Sequence, residues 1–331
     1  MTFIIYTILR LFARNKQEYL EGDEVRHLGT AKTFYRFWNK SFYDFHPPLY
    51  SLLIKWFATI GGYPNVDVTA GVLVSFISSL GLYWVSSQLF LQLGLSSSSA
   101  QIALTFLAFN YVLIYYSNRV FRYQLFCLLF TTATLMLVTH HFAWCGVFWG
   151  LSALTCSFGG LRFFWVWLPY SLFVHISPLP PIIFSALYGI FWLFPKALCY
   201  SSADYHPSGP EGKLEPVRSY NFKQLISPMY FPYNYKYYGS KGFEKDWSSI
   251  PKNILSLFLP VKHYKLLILP ALVMFVLTYW GMFNSFSWLT ISTLCLLWTT
   301  TYTKFNPRNC IVVLPYLAYF FAKFFGIGLK F

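Results

Sequence analysis

Two acidic residues, Asp23 and Glu24, stand side by side shortly after an apolar N-terminal stretch. Further on come Tyr43-Asp44-Phe45-His46-Pro47-Pro48-Leu49, then Tyr116-Ser117-Asn118-Arg119-Val120-Phe121-Arg122-Tyr123, and late in the chain Asn306-Pro307-Arg308-Asn309-Cys310. A carboxylate near a membrane surface can take the proton of a hydroxyl. Asp23 or Glu24 could take that task, the other placing the acceptor or the base. Arg119, Arg122 and Arg308 carry permanent charge on forked donors that suit a phosphate. His46 and Tyr123 are candidates to touch a substrate. Each residue also has a plainer reading. The acids could solvate a loop beside Arg26. The two prolines set an extended turn and then the first position of a helix, which makes the histidine incidental. Snorkelling to lipid headgroups fits one of the paired arginines, Arg119 rather than Arg122.

The elements that must position these residues are apolar. Hydrophobic residues are 56% of the 331, aromatics 22% and charged residues only 11%, against about 25% charge in an average soluble domain. Crossing a hydrocarbon core of ~30 Å takes roughly 20 mostly apolar residues in a helix, and such stretches recur. Candidate spans run over 67–91, 101–117, 122–139, 142–157, 161–176 and 178–195, and again over 264–283, 285–302 and 310–328. Residues 1–13 read as a shortened or late-started first helix with no signal-peptide cleavage site after it. The chain is therefore expected to be all-α, a single polytopic membrane domain of about ten spans over residues 1–331. Turns are expected at Gly94–Ser99, His140–His141 and Gly159–Gly160. Two long polar regions interrupt the bundle, 14–65 and 196–263, and residues 47–60 of the first are amphipathic enough to lie in the interface.

The formal charge of +14 sits between apolar spans, which excludes a nucleic-acid-binding domain and leaves lipid headgroups or an anionic substrate as partners. The segments 14–65 and 196–265 hold 17 of the 25 Lys and Arg. The positive-inside rule would place them in the cytoplasm, whereas an N-terminus inside places both outside. The six cysteines show no C-x-x-C spacing and read as small buried hydrophobes. No metal or cofactor site is evident.

The acidic pair, the His-Pro-Pro-Leu entering a helix, the arginine–tyrosine segment and the late arginine-then-proline entry at Arg308 and Pro315 together resemble a known family. It comprises the polyprenol-phosphate-dependent glycosyltransferases of the GT-C fold, among them dolichyl-phosphate-mannose protein mannosyltransferases and aminoarabinose transferases. The resemblance covers roughly residues 15–330 and is strongest over 20–130. It implies that 14–65 is the catalytic first loop and that both long regions are extracytoplasmic. It also implies a donor sugar on dolichyl or undecaprenyl phosphate, and a hydroxyl acceptor on a protein, lipid or glycan. The membrane would be the endoplasmic reticulum or a prokaryotic plasma membrane. The resemblance favours Asp23 as the base, and places Arg122 and Tyr123 at the donor. The chain departs from the family's histidine–aromatic pair at Thr155-Cys156-Ser157-Phe158, followed by Gly159-Gly160-Leu161-Arg162. A lipid-phosphate transporter and a non-catalytic scaffold of a glycosylation complex are the alternatives. Against the transporter, the central spans carry almost no charge and show no broken inverted repeats.

Overall fold

The computed structural model describes residues 2–12, 22–33, 47–62, 68–195, 205–206, 215–216, 254–260, 264–301 and 311–328. The chain is a bundle of mostly apolar helices: α1 (Thr2–Phe12), α2 (Gly22–Thr33), α3 (Leu49–Ile60), α4 (Val68–Gln92), α5 (Ser97–Phe109), α6 (Tyr111–Ser117), α7 (Tyr123–Val138), α8 (Phe142–Thr155), α9 (Ser157–Leu161), α10 (Phe164–Phe173), α11 (Leu179–Tyr188), α12 (Ile268–Asn284), α13 (Trp288–Thr301) and α14 (Leu314–Gly328). A two-residue antiparallel ladder pairs Tyr205–His206 with Glu215–Pro216.

The sequential core is α4 on α7, α7 on α8 and α8 on α11, with α14 packed against α5 and α12. Glycines let the backbones close where it matters. A Cβ on Gly71 of α4 would stand 2.6 Å from Val120, and one on Gly159 would stand 2.2 Å from the Phe126 ring. Two of the three expected turns form where punctuation placed them, whereas Gly159–Gly160 lies inside the short helix α9 and the chain instead breaks at Cys156, which is extended at φ −147 and ψ 95. Gly94 ends α4 at φ +83, with Leu95 N–H bonded back to Phe90, the glycine-ended helix stop. His140 takes the same left-handed role after α7, at φ 61.

Among the described residues the apolar helices differ widely in length. Val68–Gln92 and Lys265–Asn284 are individually long and apolar enough to cross a membrane, and α5 with α6 makes a third if counted as one span bent by 58°. The remaining apolar helices run 10–17 residues. The expected 101–117 span breaks because Asn110 adopts an extended ψ of 115 and turns its Oδ1 onto the N–H groups of Val112 and Leu113. Its Nδ2 donates to the Leu257 carbonyl at 2.8 Å.

The freed carbonyls at the end of α5 are met by Arg10 of α1, which is fully buried. Its Nη1 and Nη2 donate to Ala108 and Leu107 (3.3 and 3.4 Å) and its Nε to Ser79 Oγ (2.7 Å). The guanidinium lies over the Tyr6 ring. A buried arginine is costly in a membrane protein, and here it offsets a second cost, broken backbone bonding inside the bundle.

The turns give the bundle two ends. The α6–α7 junction, the start of α4, the α8–α9 junction and Ile311 before α14 lie at one end: Gly71 meets Val120, Gly159 meets Phe126, and Cys127 Sγ donates to the Ile311 carbonyl at 3.4 Å. The turns at Gly94, His140 and Ser177 lie at the other. α1 runs alongside α5, Thr2 meeting Gln101 and Arg10 meeting Ala108. Both long polar regions therefore leave and rejoin the bundle at the α6–α7 end.

Candidate active site at the α6–α7 junction

The region expected as a catalytic loop contains a helix. α2 begins at Gly22, so Asp23 and Glu24 sit in its first turn, where backbone N–H groups favour carboxylates. The helix hides one face: Glu24, His27, Leu28 and Ala31 are buried, spaced three and four apart as one stripe. That stripe packs on α3, and α3 starts at Leu49 directly after Pro48, as the proline pair predicts.

Glu24 is tied down at the junction. Its Oε2 pairs with Arg119 Nη2 at 3.0 Å, and its Oε1 accepts from the Val120 N–H at 3.1 Å and from Arg119 Nε at 3.4 Å. The carboxylate is fully buried and the Arg119 side chain 13% exposed. Arg119 also donates to the Tyr115 hydroxyl and lies over the Tyr115 and Phe121 rings. This corrects the headgroup reading of Arg119. Its charge fixes α2 to the junction, because a buried carboxylate must be paired.

The junction is held from its other side as well. Ser75 of α4 donates to the Phe121 carbonyl at 3.0 Å. Tyr50 of α3 bonds Ser75 Oγ at 2.9 Å and donates to the Gly71 carbonyl at 3.1 Å. Burial foremost, and the nearby Glu24 charge, push the Tyr50 hydroxyl well above its ordinary pKa despite the Ser75 bond. It stays a neutral donor. Thus α2, α3 and α4 all converge on residues 118–123.

Arg122 stands at the N-cap of α7, 8% exposed, with its guanidinium 5.6 Å from the Tyr123 ring centre. Tyr123 itself is buried, packed edge-on to Tyr116 at 5.5 Å. The structure brings together the Asp23–Glu24 turn, Arg119, Arg122 and Tyr123. His46 and Arg308 lie outside the described residues, and of Asp23 only the backbone is described.

Sequence reasoning passed over Tyr50, Ser75, His27 and Arg162. Arg162, 7% exposed, caps α9 at the same end of the bundle; its one sequence signal is a lone arginine after a glycine pair. Among the described residues no three His, Cys, Asp or Glu side chains gather as metal ligands. A cavity of about 390 Å³ lies elsewhere, between α5, α12 and α14. Its lining, from Gln101 and Phe106 to Phe258 and Phe321, is uncharged, so it is not a phosphate site.

No known family model matches the sequence, and no curated protein matches it by sequence. Solved structures do match. ArnT from Cupriavidus metallidurans in the apo state superposes with a TM-score of 0.62 at 11% identity over 97% of this chain. The same protein bound to undecaprenyl phosphate gives 0.63 at 10% identity over 97%. The Archaeoglobus fulgidus oligosaccharyltransferase in the apo form gives 0.56 at 11% over 98%. The chain has the GT-C fold. It spans 58% of the ArnT chain and 50% of the oligosaccharyltransferase chain. The GT-C bundle makes the protein an integral membrane protein, with its acidic pair at the α6–α7 end of that bundle.

Proposed function

We propose that this protein is a membrane glycosyltransferase that moves a sugar from a polyprenyl phosphate, dolichyl or undecaprenyl, to a hydroxyl on a protein, lipid or glycan. The observation that carries the reading is the Glu24 clamp. By bonding Arg119 and the Val120 N–H, it brings the turn bearing Asp23 to the junction that bears Arg122. A base and an anion-binding charge then share one end of a GT-C bundle. That ArnT is found with undecaprenyl phosphate supports a donor of this class.

In this mechanism Asp23 takes the proton of the incoming hydroxyl as its oxygen bonds to the sugar carbon. The bond from that carbon to the phosphate oxygen breaks, and its electron pair leaves with the polyprenyl phosphate. Arg122 stabilises the charge that develops on the leaving phosphate. Glu24 and Arg119 hold the two groups in register, and His46, Tyr123 and Arg308 complete the substrate contacts. The transfer needs no redox group or other cofactor, since the phosphate ester already activates the sugar. The sugar is a hexose of the mannose class. The membrane is that of the endoplasmic reticulum or a prokaryotic cell, with both long polar regions on its lumenal or outer face.

The test is an assay of purified protein with a panel of polyprenyl-phosphate sugars, scoring released polyprenyl phosphate. Asp23→Asn keeps the shape and removes the base, so transfer should fall about 10²–10⁴-fold with donor photo-crosslinking retained. A folded Asp23→Asn protein that transfers at the parental rate would return the chain to the transporter or scaffold class.

A further inference from the structure

The strongest feature that this mechanism leaves unused is His27. It is 1% exposed, an unusual setting for an imidazole in a short polar helix. Its Nδ1 lies 3.5 Å from Ser51 Oγ of α3, and its ring stands edge-on to Tyr50 at 5.0 Å. Tyr50 in turn is bonded to Ser75, and Ser75 to the backbone of the junction.

On α2, His27 is four residues after Asp23 and three after Glu24. At about 100° per residue, position 27 stands roughly 40° from position 23 and one turn beyond it. A helical side chain leans over the turn that precedes its own Cα, and for His27 that turn is the one carrying Asp23. Glu24 fixes this first turn toward the α6–α7 junction. Leu28 and Ala31 also pack this face of α2 on α3, but apolar contact carries no bond direction. His27 adds a directional contact to α3 one turn beyond the Glu24 clamp, which limits the roll of the helix.

We propose that His27 is a positioning residue of the transferase site: held by Ser51 and seated on Tyr50, it fixes the roll of α2 and so the placement of Asp23. The inference rests on the glycosyltransferase reading. It predicts a specific kinetic signature, because the donor's phosphate is held on the α7 side and the base on the α2 side. Loosening α2 should lower kcat and leave the donor KM near its parental value. Small misplacements of a reacting group are costly, up to 10²-fold for about 1 Å. A weak 3.5 Å contact should be worth roughly tenfold.

Three variants separate a positioning role from a packing role. His27→Phe keeps a ring against Tyr50 and removes the bond to Ser51. Ser51→Ala removes the same bond from the other side and leaves the imidazole in place. His27→Asn restores a polar atom near the position of Nδ1. Steady-state transfer is measured for each on the best polyprenyl-phosphate sugar, with thermal stability in the same detergent. The expected result is a kcat lowered about tenfold in His27→Phe and Ser51→Ala, a donor KM within about twofold of the parent, no further loss when His27→Phe and Ser51→Ala are combined, and recovery of most of the rate in His27→Asn. Parental kcat in Ser51→Ala, or His27→Asn as slow as His27→Phe, overturns the inference. So does a loss that appears in KM alone. Should His27→Phe fail to fold, Ser51→Ala and His27→Asn decide by themselves. An active parent with unaffected variants removes the role of His27 alone. A parent that releases polyprenyl phosphate from no donor takes the transferase reading down with it.

Discussion

The Glu24–Arg119 pair joins residues far apart in sequence, and a double-mutant cycle measures what that joint is worth. Glu24→Gln leaves an acceptor oxygen for the Val120 N–H but strips Arg119 of its counter-charge. Breaking a fully buried pair from one side costs about 3–5 kcal/mol. Two features reduce that here. Arg119 keeps some exposure, 13% of its side chain, and it retains the Tyr115 hydroxyl. The expected loss is therefore about 2–3 kcal/mol. Arg119→Met should cost at least as much, since it leaves the buried carboxylate without its counter-charge. The double variant, Glu24→Gln combined with Arg119→Met, strands neither charge and should recover part of the loss, giving a coupling of about 1.5–3 kcal/mol. Unfolding by SDS titration of detergent-purified protein provides the four free energies. Transfer by the singles should fall with the placement of α2, in kcat more than in donor KM. Strictly additive losses, with no coupling beyond about 0.5 kcal/mol, would show that the pair holds nothing and that α2 is seated by its apolar stripe alone.

Arg122→Ala should weaken donor use roughly ten- to hundredfold, about 1.5–3 kcal/mol for a lost charge-assisted contact. Arg119→Ala should act on stability and kcat with a smaller effect on donor affinity; equal, small effects of the two on donor KM would count against Arg122 as the phosphate contact. Arg10→Met should destabilise the bundle by about 2 kcal/mol, its loss of contacts to Ser79, Leu107 and Ala108 being tempered by the modest value of polar contacts between helices in membranes. An unchanged SDS midpoint would mean that the α5–α6 bend needs no clamp. Cysteines placed at Lys40 and Lys241 should both react with an impermeant thiol reagent from the lumenal or outer face. Protection of both in intact cells, with labelling after permeabilisation, would reverse the orientation.

Hydropathy made most of the bundle legible. The expected 67–91 and 122–139 spans match α4 and α7 to within a residue, and 142–157 and 264–283 to within two, because a run of apolar residues bounded by Gly or His admits little else. The residues of α2 resisted reading. Its sequence, GDEVRHLGTAKT, has a buried apolar stripe of Leu28 and Ala31, an exposed valine at Val25, and is polar elsewhere. It is helical because α3 covers that stripe and Arg119 takes its carboxylate, and neither partner is adjacent in sequence. The break at Asn110 was hidden for a similar reason. A single asparagine in an apolar run can sit in a span or end one, and the choice depends on Arg10 and Leu257 meeting the groups it exposes.

The same logic explains why Arg119 and Arg122, so alike in sequence, part ways in space. Arg119 lies in the non-helical link after α6, three residues before the N-cap of α7, where its fork can reach the buried carboxylate of Glu24. Arg122 is the N-cap itself, and a cation there opposes the dipole of the helix it begins. That placement is unfavourable for a charge that serves the helix alone. It becomes favourable when an anion approaches the same N-terminus, because the peptide N–H groups of α7 and the guanidinium then act on one ligand together. This is the physical reason for proposing that Arg122 meets the donor phosphate, with Arg119 left to Glu24.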